Sequence, residues 1–238
     1  MKTKIFIFSM LMTIVSQAYI YAVDDEKEDK KWSIGAFAGA NVNKITGLPE
    51  MIVSEDFYTG YTLDSNYSFG FTGGILLNYR ASHLFSLQPE ISFSMQHGKL
   101  QYSDINDFKY DIDFKYNYLN VGIGFKFYPW KNLFLNIIPQ AGFNLTPEKL
   151  AYESNGENEY GSDLDTQQLM RNVIKGRTNV SLGFGLGYQF FNMIYLDVRY
   201  CLGISDMIET MPNSYRFAEN RNTANSFLFT LGYTIPVK

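Results

Sequence analysis

The side chains that could perform nucleophilic chemistry are few in this chain. Of the 238 residues, only His83, His97 and Cys201 carry an imidazole or a thiol. A hydrolase or acyltransferase needs a serine activated by a neighbouring base, and Ser92 and Ser94 lie closest to His97 in sequence. The residue alternation described below puts both serines on one face of a strand and His97 on the other. We therefore expect no enzymatic activity, with a lipid-modifying enzyme as the alternative.

The composition indicates neither a metal site nor a cofactor site. One cysteine and two histidines cannot supply the four ligands of a structural zinc site, and one cysteine cannot close a disulfide within the chain. The acidic segment Asn155–Asp165 lacks the ligand spacing of an EF-hand loop. A formal net charge of -4 disfavours nucleic acid as a partner. We expect no catalytic residue, no metal, no cofactor and no nucleic-acid partner.

Five charged residues form the candidate site that the sequence offers. Arg80, Glu90, Lys126, Asp197 and Arg199 all fall on the polar side of segments in which apolar and polar residues alternate. An isolated charge in a narrow interior is costly unless it is paired, so we expect ion pairs among the five. The predicted role is structural: a polar network that fills the interior and fixes the strand register. A gated path or proton route is the alternative.

Segments with a period of two residues must position these side chains. In Phe85–Gln96, Asn179–Phe190 and Ile194–Ser205, apolar residues alternate with polar residues or glycine, which is typical of a strand with two different environments. Weaker alternation brings the total to eight strands. They are Trp32–Asn41, Phe69–Arg80, Phe85–Gln96, Leu119–Tyr128, Leu133–Asn144, Asn179–Phe190, Ile194–Ser205 and Ser226–Ile235. The expected connections are short turns at 81–83, 129–132 and 191–192 and long polar loops at 42–67, 97–113, 146–177 and 206–225.

The two faces of these strands predict which side meets lipid. One face carries Phe, Leu, Ile and Tyr, whereas the other carries Gly, Ser, Asn and a few charges. The interior of an eight-stranded barrel is just wide enough to be filled by side chains, so the bulky face must point outwards. We therefore predict an all-β, eight-stranded antiparallel up-and-down transmembrane β-barrel with short periplasmic turns and long extracellular loops. A soluble lipocalin-like barrel, whose apolar face points inwards, is the alternative.

Two further features refine this barrel. Aromatic residues near the short turns predict the girdle with which such barrels meet the membrane interface. They are Tyr79, Phe85, Phe127, Tyr128, Trp130, Phe134, Phe190, Phe191 and Tyr195. Pro89 and Pro139 lie in mid-strand, where a missing N–H interrupts the hydrogen-bond ladder, and we expect a bulge or bend at each.

The N-terminus carries a targeting pattern. Two lysines precede the apolar stretch Ile5–Val15, and small residues at Ala18 and Ala22 provide two cleavage positions for a signal peptide. The apolar stretch is shorter than the roughly 20 residues that a membrane-spanning helix needs. We predict a signal peptide at 1–22, cut after residue 18 or 22, an acidic periplasmic tail at 23–31 and a barrel at 32–238. The expected location is the bacterial outer membrane, with both termini in the periplasm.

Four segments carry a resemblance to a known family. They are Leu87–Ser94, Tyr118–Gly122, Gly183–Tyr188 and Leu196–Tyr200. Together they resemble the PorT-family outer-membrane β-barrel domain of Bacteroidetes over most of the chain after Lys31. The resemblance implies an eight-stranded outer-membrane barrel and, through the family's namesake, an association with the type IX secretion system. It brings no catalytic residues. The chain departs from many barrels in ending Ile-Pro-Val-Lys rather than on an aromatic residue.

These features predict a function of a general class. We expect a non-enzymatic outer-membrane protein with a structural or interaction role, and the resemblance implies an accessory role in protein secretion. Outer-membrane lipid and lipopolysaccharide are the expected surroundings, and other envelope or secretion proteins the expected partners. A narrow pore and a barrel that binds a ligand through its extracellular loops are further alternatives.

Overall fold

The computed structural model describes residues 31–51, 61–156, 161–190, 193–210 and 220–237. The predicted signal peptide and residues 23–30 of the predicted tail lie outside the described residues, as does the predicted turn at 191–192. The described elements are β1 (Lys31–Ile45), a 3-10 turn (Pro49–Met51), β2 (Thr62–Asn66), β3 (Ser68–Arg80), β4 (Phe85–Ser103), β5 (Lys109–Phe127), β6 (Leu133–Asn144), β7 (Leu150–Ser154), α1 (Asp163–Val173), β8 (Ile174–Gly176), β9 (Asn179–Phe190), β10 (Ile194–Gly203), β11 (Ile208–Thr210) and β12 (Ala224–Val237).

Eight of these strands close into a ring. The order around the ring is β4, β3, β1, β12, β10, β9, β6 and β5, and β5 pairs again with β4. Every pairing in the ring is antiparallel. The predicted eight-stranded antiparallel barrel is therefore confirmed. Closure leaves no open edge, which a barrel in lipid requires because every backbone N–H and C=O needs a partner there.

The predicted sidedness of the barrel wall is also confirmed. Phe93, Phe184 and Leu196 point outwards and are 39%, 45% and 49% exposed, whereas Glu90 and Arg199 are buried inside the ring at 4% and 3%. Apolar residues alternate with buried polar residues along β9, β10 and β12 in the same way. The wall therefore presents an apolar band outwards and a polar lumen inwards.

Beyond the apolar band, the chain builds a compact region that we call the head. It comprises β1 after Asn43, β4 after Gln96 and β5 before Asn117, together with β2, β7, α1, β8 and β11. β2 and β7 extend the sheet beside β4 and β5, and α1 packs against β7. We call the end of the barrel that carries the head the loop end, and the opposite end, with the connections after β3 and β5, the turn end.

The head contradicts the predicted long loop at 97–113. β4 and β5 instead pair without interruption from Phe85↔Phe127 to Ser103↔Lys109 and close in a short turn. The predicted loops at 42–67 and 146–177 likewise contain β2, β7, α1 and β8. The physical reason is a second hydrophobic core, which fills the head and reaches the barrel at Tyr118. Its buried members are Ile45, Leu48, Leu100, Ile112, Phe114, Tyr116, Tyr118, Leu150, Tyr152, Ile174, Met207, Ile208 and Ala224.

The two mid-strand prolines interrupt pairing without forming bulges. The β3–β4 pairing stops between Leu76↔Glu90 and Tyr79↔Leu87 and resumes in the same register on the other side of Pro89. The β5–β6 pairing is interrupted in the same way beside Pro139. A bulge adds a residue to one strand and shifts its register, so the expected bulges are wrong. The missing N–H of each proline coincides with the interrupted ladder contacts, and the alternative of a bend at each proline stays a prediction.

Candidate functional site

The centre of the lumen is an ion-paired group built from β4 and β10. The Arg199 guanidinium lies 2.6 Å from Glu90 Oε1 through its Nη1 atom and 2.8 Å from Asp197 Oδ2 through its Nη2 atom. Period-two alternation brings these side chains inwards, since Asp197 and Arg199 are two residues apart on β10 and Glu90 projects from β4 across the ring. Three of the five predicted residues thus meet in ion pairs.

Amide side chains complete the coordination of both carboxylates. Gln88 Nε2 donates to Glu90 Oε2 at 3.0 Å, and Asn136 Nδ2 lies 3.0 Å from both oxygens of Asp197. A buried ion pair offsets its desolvation cost only when further hydrogen bonds satisfy the remaining groups. Gln88 and Asn136 supply those bonds, although the sequence analysis did not single them out. The sequence signal for both residues is their position on the polar, inward face of an alternating strand.

Lys126 and Arg80 interact with aromatic rings, and neither forms an ion pair with a described residue. Lys126 Nζ lies 4.0 Å from the ring centre of Phe134 and 4.7 Å from that of Tyr195. Arg80 stacks 3.8 Å from the Tyr128 ring and donates to the backbone oxygens of the turn that follows β3. Cation–π contact of this kind stabilises a cation where water is scarce. Within the described residues, the ion pairs among the five therefore join Arg199 to Glu90 and to Asp197.

The same three aromatic residues correct the predicted girdle. Tyr128, Phe134 and Tyr195 point into the lumen and are buried, with ring centres 5.7 Å and 6.1 Å apart along the row. Together they close the lumen at the turn end. Glycines make room for two of them, because a Cβ at Gly187 would overlap the Phe134 ring and one at Gly232 would overlap the Tyr195 ring.

Above the ion pairs, towards the head, uncharged polar side chains fill the lumen. Asn120 Nδ2 donates to Ser94 Oγ at 2.8 Å, and Asn179 Nδ2 donates to Gln96 Oε1 at 2.9 Å. This layer surrounds a cavity of about 20 Å³, which has room for about one water molecule. Above it, the buried Tyr118 hydroxyl donates to the Arg177 carbonyl oxygen at 2.9 Å, where the head core begins. Along the described lumen, aromatic rings, ion pairs and amide side chains therefore follow one another from the turn end to the head.

The residues considered for catalysis are not brought together. Ser92 and Ser94 are buried in the lumen, whereas the His97 side chain lies on the outer face of β4. Cys201 is buried beside the lumen cavity, and His83 lies in the turn after β3. No group of three or more His, Cys, Asp or Glu side chains in the described ranges could hold a metal ion. The arrangement can brace the wall, but it does not assemble a nucleophile and a base.

A family model for the outer membrane protein beta-barrel domain matches residues 17–209. This match spans more than half of the chain and agrees with the closed ring and its apolar outer band. The chain belongs to this family. As a member, it is an integral outer-membrane protein whose strands cross the lipid. No described helix is long and apolar enough to cross a membrane.

Solved structures of small outer-membrane proteins are similar to this chain at low sequence identity. Ail of Yersinia pestis, in complex with the heparin analogue sucrose octasulfate, is 16% identical over 87% of this chain and 100% of that chain, with a TM-score of 0.41. OprG from Pseudomonas aeruginosa is 10% identical over 87% and 97% of the two chains, with a TM-score of 0.44. Neisserial surface protein A is 13% identical over 87% and 99%, with a TM-score of 0.39. No curated protein matches the sequence.

Proposed function

We propose that this protein is a non-enzymatic anchor whose barrel holds the head in place for binding to another envelope protein. The observation that carries the proposal is the contrast between a filled lumen and a head with a core of its own. A lumen filled by ion pairs, amides and aromatic rings has no room for a solute. A separate core, by contrast, gives the head a defined surface on which a partner can bind.

Side chains of α1 cover the free edge of β7 in the head. An added strand therefore cannot pair freely with this edge. Gln167 Oε1 accepts a hydrogen bond from the Tyr152 N–H at 3.1 Å, and Asp163 Oδ2 accepts one from the Ser154 N–H at 3.0 Å. These side chains of α1 occupy the donors that an added strand would use. Partner binding at this edge therefore depends on side chains.

Three exposed apolar residues mark the head surface that we assign to the partner. Ile105, in the turn between β4 and β5, is 68% exposed, and Leu164 and Leu169 of α1 are 74% and 49% exposed. They lie beyond the apolar band, so lipid does not account for their exposure. A contiguous exposed apolar patch is typical of an interaction site, and the proposal is that these three side chains contribute to one.

The orientation and the partner class complete the proposal. Outer-membrane barrels have short turns on the periplasmic side and longer extracellular segments, so the turn end is periplasmic and the head is extracellular. Both ends of the described barrel, Trp32 and Val237, lie at the turn end. The resemblance to the PorT family supports a secretion protein of the type IX class as the partner.

Copurification from native membranes tests this proposal. A triple variant, Ile105→Asp with Leu164→Asp and Leu169→Asp, changes exposed positions only, so the barrel should fold as usual. We expect a partner that copurifies with the wild type to be lost with this variant and retained with the turn-end control Lys131→Asp. A partner retained by the triple variant contradicts the proposal, as does a stable unitary conductance in planar bilayers.

A further inference from the structure

On the outer face of β4, β5 and the segment after β6, apolar residues give way to charged residues at one row. His97 on β4 pairs with Lys115 on β5, and the Lys115 N–H donates to the Lys149 carbonyl oxygen at 2.9 Å. The alternation of β4 and β5 points the side chains of His97 and Lys115 outwards. Lys149, in the turn before β7, is exposed. The outer face thus carries an imidazole and two ammonium groups side by side.

On the side nearer the membrane, the rows next to these basic residues are mainly apolar. On the lipid side, the outward row is Phe93, Leu119 and Phe143, and all three are exposed. Leu145 is also exposed, and its N–H donates to the Asn117 carbonyl oxygen in the row between. The row of basic groups therefore lies directly above a surface that acyl chains would cover.

Acidic residues appear only further from the membrane on this face. The next row outwards contains Lys99 and Asp113, and the one after it contains Asp111 and Glu153. Lys99 forms an ion pair with Asp111 at 2.7 Å. Basic groups nearest the lipid and acidic groups farthest from it are the arrangement that attracts a layer of anionic head groups.

The ammonium groups in the row are also available to a ligand. Other basic residues of the head are engaged: Lys175 pairs with Glu148 at 3.0 Å and Arg177 with Glu209 at 3.1 Å. Lys115 and Lys149 form no ion pair with any residue that the structure describes. Burial lowers the pKa of His97, and the positive charges of Lys115 and Lys149 lower it further against the opposing effect of Asp113. The ammonium groups of Lys115 and Lys149 therefore both lie close enough to His97 to affect its protonation.

We propose that His97, Lys115 and Lys149 form a binding site for the phosphate of a lipid head group, with the acyl chains lying on Phe93, Leu119 and Phe143. The lysines neutralise the phosphate charge, and the neutral imidazole can donate one hydrogen bond to it. Given the orientation proposed above, the lipid is a phosphorylated lipid of the outer leaflet. The site itself does not depend on the partner that binds the head.

Titration of lipid A into the protein in zwitterionic detergent, followed by native mass spectrometry, tests the site. We expect the double variant Lys115→Gln with Lys149→Gln to bind lipid A about 30-fold more weakly, the equivalent of about 1 kcal/mol for each lysine. The double variant Lys115→Arg with Lys149→Arg should retain binding. The control Lys109→Gln with Lys131→Gln, which removes two exposed lysines elsewhere, should also retain it.

Three further results decide the assignment. Equal loss in the glutamine variant and the control would overturn it, because general charge rather than this row would then be responsible. Competition by millimolar inorganic phosphate would overturn the lipid as the ligand in favour of free phosphate. Unchanged binding in the glutamine variant would also overturn it, provided that heat-modifiable gel mobility shows a folded barrel. Because no partner protein is present, these results are independent of the copurification experiment.

Discussion

β4 and β5 run through both the membrane part of the barrel and the head. The polarity of their inner and outer faces is reversed between these two regions. Along the inner face of β5, Ile112, Phe114 and Tyr116 are buried in the head, whereas Asn120 and Lys126 are buried in the lumen. The outer face changes in the reverse direction. It carries Asp111, Asp113 and Lys115 beside the head and then Leu119, Val121, Ile123 and Phe125 in the band.

The surrounding medium explains this inversion. Water surrounds the head, so burial of apolar side chains inside it is favourable. Lipid surrounds the band, so apolar side chains gain nothing by moving inwards, and the narrow interior is left for small and paired polar groups. The head is therefore held by burial, and the lumen by ion pairs and hydrogen bonds. The two regions should respond differently to the same kind of substitution.

The largest expected effect is the loss of the central cation of the lumen. Arg199→Met leaves Glu90 and Asp197 buried without their partner, and we expect it to lower the free energy of unfolding by about 3–5 kcal/mol. Arg80→Met is the matched control, because Arg80 is a half-buried arginine at the turn end. It should lower the free energy of unfolding far less. Urea unfolding of protein refolded into lipid vesicles measures both. Equal effects of the two substitutions would show that the lumen does not depend on the ion pairs.

A matched pair of leucines compares burial in the head with contact to lipid. Leu100 is buried in the head core and Leu119 faces outwards in the band. Leu100→Ala should destabilise the head by about 2–5 kcal/mol, because it leaves a cavity in a packed core. Leu119→Ala should cost less than half as much, since lipid fills the space. Hydrogen exchange of the head amides reports the first effect, and similar costs at both positions would remove the distinction.

Crowding in the lumen predicts a smaller effect. A methyl group at Gly187 would overlap the Phe134 ring and the Leu196 carbonyl oxygen, whereas one at Gly156 in the head would make an ordinary contact with Phe108. Gly187→Ala should therefore cost about 1–3 kcal/mol, and Gly156→Ala should be close to neutral. The same vesicle unfolding assay compares them. A neutral Gly187→Ala would mean that the lumen can expand, contrary to a filled interior.

Two tyrosines at the base of the head provide the smallest and sharpest contrast. The buried Tyr116 hydroxyl has no hydrogen-bond partner among the described residues, whereas Tyr118 donates to Arg177 and accepts from Asn144. Tyr116→Phe should stabilise the head by about 1 kcal/mol, and Tyr118→Phe should destabilise it by about as much. Thermal unfolding compares the two variants, and shifts of the same sign would contradict the assignment of their hydroxyl groups.

The pH dependence of the head follows from one of these side chains. Burial raises the pKa of Tyr116 above that of an unfolded tyrosine. The protonated phenol is therefore favoured in the folded head. The contribution of this phenol to stability should be unchanged below pH about 10 and should fall as the pH rises above it. Tyr116→Phe should reduce this slope, and an unchanged slope would show that Tyr116 does not contribute to it.

The sequence predicts the lumen well and the head poorly, for a physical reason. In the band, clean alternation places Glu90, Asp197 and Arg199 inwards, and a narrow interior forces them to pair. Alternation continues through Tyr110, Ile112 and Phe114, but the charged residues between them are typical of a polar loop. Only a second core explains that pattern, and its members come from distant parts of the chain. The rings that contact Lys126 also lie on other strands, so one strand's pattern cannot reveal them.

Spin labels on one face of β4 test the polarity inversion most directly. With Cys201→Ser as background, single cysteines replace Phe93 in the band and Lys99 beside the head, both of which point outwards. Electron paramagnetic resonance then compares collisions with oxygen, which concentrates in lipid, and with a water-soluble nickel complex. We predict that the label at position 93 collides mainly with oxygen and the label at position 99 mainly with nickel. Similar nickel accessibility at both positions would contradict the account.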